Sequence, residues 1–208
     1  RGVLGAGTNR MNVFTVGKAT QGYANYLKAH FATPSVAIAY DSRINSRLFA
    51  ETAAGVFAAN GIRVHIYPRL MPTPSLSFAV RDLRSCGGVV ITASHNPAKY
   101  NGYKVYGADG CQITTEAAAA IQQEIDRIDP FADVHTLDFA EGLASGIIAY
   151  IGEDTVERYL AAVSAASLLP EDVSRSASIV YTPLNGTGIS CVPRCLRAHG
   201  FANITIPP

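Results

Sequence analysis

The sequence predicts an α/β fold: a mixed four-stranded sheet flanked by helices, followed by the start of a second, similar α/β unit. Three observations carry that prediction. Short runs of Val, Ile, Ala and Tyr alternate with longer stretches of helical period, the order expected of a layered α/β chain. The apolar runs end abruptly in polar or turn residues, such as Asp41-Ser42-Arg43 and Thr92-Ala93-Ser94, as strand ends do. The fourth strand follows the third across a loop too short for a helical crossover, so it runs antiparallel and the sheet is mixed.

The elements follow in order. Arg1 to Asn12 reads as a glycine-rich loop; Gly2, Gly5 and Gly7 miss the GxGxxG order, and no strand precedes them. Thr15 to Phe31 places Val16, Ala19, Tyr23, Tyr26 and Leu27 near helical spacing, with His30 as a solvent or dipole contact at its end. Strands are expected at roughly 36–40, 62–67, 88–92 and 102–106. Between the first two, Asn45 or Ser46 caps a helix that Asn60-Gly61 stops. His65 reads as an ordinary exposed or hydrogen-bonded strand residue. Thr73 as N-cap with Pro74 at the first helical position starts the next helix, through Arg84. Gly107-Ala108-Asp109-Gly110 is a turn, and Cys111-Gln112-Ile113 a short edge strand. Thr114 or Thr115 caps a helix running to about Ile128, which Asp129-Pro130 ends.

Phe131 to Ser145 is less regular and polar, so the boundary falls near Ile151, dividing the chain into 1–150 and 151–208. The second unit opens with a helix from Glu153 to Leu169, then a strand at Ser178–Tyr181. A glycine-rich turn, Thr182 to Gly188, enters a helix through Ala198, and Asn203–Ile206 is a further strand. Gly186 to Gly188 reads as close backbone packing at a helix start, because the Lys-Ser/Thr ending of a phosphate-binding P-loop is absent.

Composition narrows the function classes. With 208 residues, 48% hydrophobic and 16% charged, the chain can bury a sizeable core. The formal net charge of +1 gives no reason to expect nucleic acid or an anionic membrane as partner. No apolar run approaches the ~20 residues of a membrane span, and no secretory apolar segment opens the chain. A cytoplasmic protein with reduced cysteines is expected. Cys191, Cys195 and His199 share four-residue spacing, but no fourth ligand is evident and buried free Cys is common. The first residue is Arg1 rather than Met, so the sequence reads as beginning inside a longer protein.

The chemistry concentrates in Gly87 to Tyr106. Val89-Val90-Ile91 is a buried strand; Thr92, Ser94, His95 and Asn96-Pro97 form a polar loop; Tyr103 to Tyr106 is the return strand. Ser94 therefore sits at the mouth of a rigid element, where scaffolds place chemistry. The run Thr92-Ala93-Ser94-His95-Asn96-Pro97, followed by Tyr100-Asn101-Gly102-Tyr103-Lys104, resembles the active-site serine loop of the α-D-phosphohexomutases, the phosphoglucomutase and phosphomannomutase family.

That resemblance has several implications. Ser94 is the residue phosphorylated in such enzymes, and it shuttles phosphate between positions of a sugar through a bisphosphorylated intermediate. His95 and Lys104 border the sugar hydroxyls and move protons. Arg1, ahead of the matching Asn9-Arg10-Met11-Asn12 element, lies beside the phosphoserine, a task suited to a permanently charged fork. Arg43 of the Asp41-Ser42-Arg43 segment is either a support of the cleft or an ion-pair partner of Asp41. The substrate is a phosphorylated sugar of the glucose 1-phosphate/6-phosphate class. The cofactor is Mg2+, held through the phosphate on Ser94 and three carboxylates; the family's Asp-Gly-Asp-x-Asp-Arg loop has no match here. Thr182 to Gly188 resembles the opening of the second domain, with Asn185 where histidine is common. The 208-residue chain by itself is expected to lack turnover. A phosphopentomutase of the same family and a non-catalytic fragment are the alternatives. A serine hydrolase is remote, because GxSxG is absent and adjacent Ser and His on an extended segment point apart.

Overall fold

The computed structural model describes residues 1–170 and 172–207. Pro208, which closes the expected second unit, and Glu171 within it lie outside the described residues. The chain runs β1 (Gly2–Val3), α1 (Val13–His30), β2 (Ser35–Tyr40), α2 (Ser46–Ala59), β3 (Arg63–Ile66), α3 (Thr73–Asp82), β4 (Gly87–Ile91), β5 (Tyr100–Asn101), β6 (Tyr103–Gly107), α4 (Thr115–Asp126), α5 (Phe139–Ser145), β7 (Ile148–Tyr150), α6 (Glu153–Ala165), β8 (Ile179–Val180), a 3-10 turn at Gly188–Ser190, α7 (Val192–Ala198) and β9 (Ile204–Thr205).

The central sheet has strand order β6-β4-β2-β3-β7. β4, β2, β3 and β7 run parallel, and β6 returns antiparallel to β4. The sheet thus has five strands rather than the four expected. The fifth, β7, is too short to stand out in sequence. It forms because β3 would otherwise present unpaired backbone groups: Val64 N donates to Ile147 O at 2.9 Å and Ile151 N to Ile66 O at 2.9 Å.

Alternation along each strand builds two cores. One face carries Val36, Ile38, Val64, Ile66, Val89, Ile91 and Ile148 against α1, α2 and α4. The other carries Ala37, Ala39 and Val90 against Leu76, Ala79 and Val80 of α3 and Val156 and Leu160 of α6. Fully buried side chains such as Phe57 and Leu76 each contribute about 1.5–3 kcal/mol of transfer free energy. α6, placed beyond the expected boundary, is tied to α3 by Arg158, whose guanidinium donates to both Asp82 oxygens at 2.8 and 2.7 Å. Tyr67 donates to Ser75 O at 3.2 Å beneath α3, and burial pushes its phenol up to about 12.

Helix boundaries show where local chemistry decided. α1 starts before Thr15, because Asn12 Oδ1 accepts from Phe14 N and Thr15 N, both at 3.0 Å, while Thr15 Oγ1 accepts from Asn12 N at 3.1 Å. This reciprocal cap is worth ~1 kcal/mol. α1 crosses α4 at Gly22, where a Cβ would come within 2.9 Å of Ile125 N. The N-cap of α3 is Pro72 rather than Thr73. Thr114 caps α4, which stops at Asp126, two residues short of the expected end. The Cys111–Ile113 edge strand reduces to a single bridge between Tyr106 and Gln112. The opening loop contains β1, which pairs antiparallel with β5. No helix among the described residues is long and apolar enough to cross a membrane.

Candidate active site

The site is assembled at the carboxyl end of β4. Ile91 ends the strand, and Thr92 Oγ1 then accepts from Ser94 N at 2.9 Å. Asn96 N donates to Ala93 O at 3.2 Å, closing a tight turn. Ser94 adopts φ +56, the left-handed region that ordinary residues seldom enter. Such strain persists only where surrounding structure over-determines it.

Arg43 is the main source of that determination. Its Nη1 donates to Pro97 O at 3.2 Å and Tyr100 O at 2.9 Å. Its Nη2 donates to Ser94 O at 2.6 Å and also to Asn96 O. Nε lies 3.6 Å from Asp41 Oδ2, so both sequence readings of Arg43 hold: it supports the loop and it faces Asp41. Asp41 Oδ1 in turn accepts from Arg43 N at 3.0 Å and Ser46 Oγ at 2.7 Å. Asn101, fully buried, donates to Ser46 Oγ at 2.9 Å and Ile44 O at 3.0 Å. Ser46 therefore does not cap α2 as expected. It is spent on this network, and Asn45 at the cap position makes no side-chain capping bond. Gly102 packs beneath the loop, where a Cβ would meet Thr92 O at 2.5 Å.

Ser94 and His95 are exposed, and Ser94 Oγ lies 3.3 Å from His95 Nδ1. This corrects the expectation that the two side chains point apart. It holds for an extended segment, and the left-handed Ser94 instead swings them together. Arg1 reaches the same loop, Nη1 donating to Asn96 Oδ1 at 3.2 Å, because β1 lies along β5. Lys104 is half-buried on β6, opposite Val90 and on the face that α3 covers. Among the described residues it makes no hydrogen bond or ion pair with the loop. Across from Ser94, Leu184 and Asn185 complete a cleft of about 490 Å³ with Asp41, Ser42 and Arg43. Ser42 Oγ donates to Asn185 O across it. Sequence reasoning missed Thr92 and Asp41 as supports of Ser94; the signal was a polar residue directly at a strand end.

A magnesium ion needs several hard oxygen ligands. Among the described residues no group of three His, Cys, Asp or Glu side chains is placed to hold a metal. Asp41, the carboxylate of the cleft, is already engaged by Ser46 and the Arg43 backbone. The described residues do not fit a complete magnesium site. Cys191, Cys195 and His199 do not form one either: His199 Nδ1 is bound to Cys195 O at 2.8 Å.

A three-layer α/β unit that exposes a strained serine at a strand end defines the class. The family model described as "Phosphoglucomutase/phosphomannomutase, alpha/beta/alpha domain I" matches residues 1–131, and the chain belongs to that family. Among curated relatives, the phosphoglucomutase of Staphylococcus epidermidis is 37% identical over 201 residues, covering 97% of this chain and 36% of the relative. That of Staphylococcus haemolyticus is 34% identical over 206 residues, covering 99% and 37%. The structure of a putative phosphomannomutase from Thermus thermophilus superposes with a TM-score of 0.78 at 28% identity, over 95% of this chain and 42% of that one. A phosphoglucomutase/phosphomannomutase family protein from Burkholderia thailandensis, at 20% identity and a TM-score of 0.72 over 99% of this chain and 42% of that one, shares the fold. The chain spans little more than a third of the length of the curated relatives it matches.

Proposed function

We propose that Ser94 Oγ is a phosphate carrier for a sugar-phosphate mutase of the phosphoglucomutase/phosphomannomutase type. The reading rests above all on the exposed, left-handed Ser94 pinned by Thr92 and Arg43 in a chain of this family. Moving phosphate between two hydroxyls of one sugar requires somewhere to park it, and a serine ester splits the hard step in two. A sugar hydroxyl attacks phosphorus on phospho-Ser94 and gives up its proton to solvent, the Oγ–P bond breaks, and the sugar becomes bisphosphorylated. Ser94 Oγ takes up one proton as it leaves. His95 Nδ1, at 3.3 Å, is the group to supply it and to take it back when the second phosphate returns to Oγ.

The transferred group carries dispersed negative charge, so positioned cations lower its barrier. Arg1, anchored on Asn96, is assigned to the phosphate, and Lys104 to the sugar side. Arg43 is committed to carbonyls and acts by positioning. Mg2+ is the proposed cofactor, and this chain would hold it through the phosphate on Ser94. The glucose 1-phosphate/6-phosphate class is the proposed substrate, and 1–150 and 151–208 the proposed domains.

The test is intact-mass analysis of the chain after incubation with a bisphosphorylated hexose, with peptide mapping. One phosphoryl group on Ser94, absent in Ser94→Ala, is the expected result. Phosphate on another residue, or equal incorporation by Ser94→Ala, would end the proposal.

A further inference from the structure

At the opposite end of the sheet, where the parallel strands begin, lies a recess of about 750 Å³. Its floor follows from the register. Arg63 and His65 are two apart on β3 and emerge on one face. His65 has Ala37 beside it on β2 and Ala149 on β7, both methyl-sized, so little side-chain bulk rises beside its ring. Thr33 and Ser35 line one wall and Leu83 another.

The recess is rich in unused donors. Among the described residues, the side chains of Thr33, Ser35, Arg63 and His65 make no hydrogen bond or ion pair. Among the described residues, no aspartate or glutamate lines the space. By contrast, Arg43, Arg47, Arg69, Arg127, Arg158 and Arg194 all face carboxylates. Burial first, and the Arg63 charge second, hold the His65 imidazole below its ordinary value. Both costs would be offset by an anion lying between the two groups.

We propose that this recess binds the phosphate group of a small organic phosphate, at a site separate from the serine loop. A guanidinium forks two phosphate oxygens, and the imidazole and the two hydroxyls offer more donors than a carboxylate can use. The volume lies within the range of small-molecule sites and leaves room for the organic part. The length of β2 sets the recess roughly 15 Å or more from the serine loop, so the inference does not depend on the mutase reading.

The 208-residue chain is titrated with inorganic phosphate, and separately with acetate at equal ionic strength, while the His65 ring resonances are followed by NMR. A saturating phosphate shift is expected in the wild type and unchanged in Ser94→Ala. Arg63 is exposed, so Arg63→Met and Arg63→Glu leave the core intact; the first weakens binding about tenfold or more and the second abolishes it. A His65 signal that ignores phosphate, follows acetate equally, or saturates unchanged in both Arg63 variants would overturn the proposal.

Discussion

Two strand-end loops of this molecule share a backbone geometry and differ in what holds them. After β4, Thr92 Oγ1 accepts from Ser94 N at 2.9 Å and Asn96 N donates to Ala93 O at 3.2 Å. After β8, Thr182 Oγ1 accepts from Leu184 N at 3.1 Å and Gly186 N donates to Pro183 O at 2.7 Å. Ser94 has φ +56 and Leu184 φ +49. A threonine two residues ahead of the left-handed position builds the turn in both cases. The first loop leaves a fully buried strand and has the Arg43 guanidinium on its carbonyls. The second leaves a strand of two residues whose Val180 is 72% exposed, and Leu184 itself is 83% exposed. The turn is therefore a general device. What makes the first a candidate site is a hydroxyl at the strained position and an anchor that fixes it.

Arg43 is the residue on which the two loops differ most. Arg43→Ala leaves several loop carbonyls and Asp41 without their partner and is expected to cost roughly 3 kcal/mol, read from urea denaturation midpoints. Hydrogen exchange should rise in residues 94–100 and stay unchanged in 182–188; an equal rise in both would show that the anchor does not distinguish them. Next in size, Thr92→Val should cost about 1 kcal/mol, because Thr92 is buried. Thr182→Val, at an exposed residue, should cost only a few tenths of that unit. Equal losses would mean that burial does not separate the loops. Leu184→Asn sharpens the contrast from the other side. Asparagine tolerates the left-handed region, so a gain of roughly 0.5 kcal/mol is expected in the same assay.

The smallest effect concerns His65, at the far end of the sheet. Its folded-state pKa is depressed below 6.5 by burial and by Arg63. Above that value the ring is neutral in both states and no stability is lost. As pH falls below it, the unfolded chain takes up the proton first, so stability declines toward the folded pKa. His65→Gln should flatten that part of the profile in thermal melts between about pH 5 and about pH 7.5. An unchanged slope would show that the ring is solvated like a free imidazole.

Much of this is legible in the chain, for local reasons. Val36 to Tyr40 and Val89 to Ile91 are apolar runs that can only be buried, and the short link to Tyr103 requires an antiparallel return. Thr92 to Pro97 carries the family resemblance in consecutive residues, which the match over 1–131 bears out. The misses have non-local or short-range causes. Ile148–Tyr150 is too brief to show a period, and it becomes a strand because β3 has an open edge. Asn12 reads as part of a glycine-rich loop, although its side chain caps α1. An extended Ser94 is what its neighbours suggest, and its positive φ has no glycine to announce it.

By itself, then, the amino-acid order determined the layered α/β class, the position of the serine loop and the family, because hydrophobic period and contiguous motifs are written in neighbouring residues. Only the tertiary structure decided that Arg43 grips the carbonyls of Ser94 and Tyr100, that Arg1 reaches Asn96, and that Leu184 faces the serine across a cleft. Those contacts join residues far apart in the chain. Their geometry follows from how strands and helices stack, which no local pattern encodes.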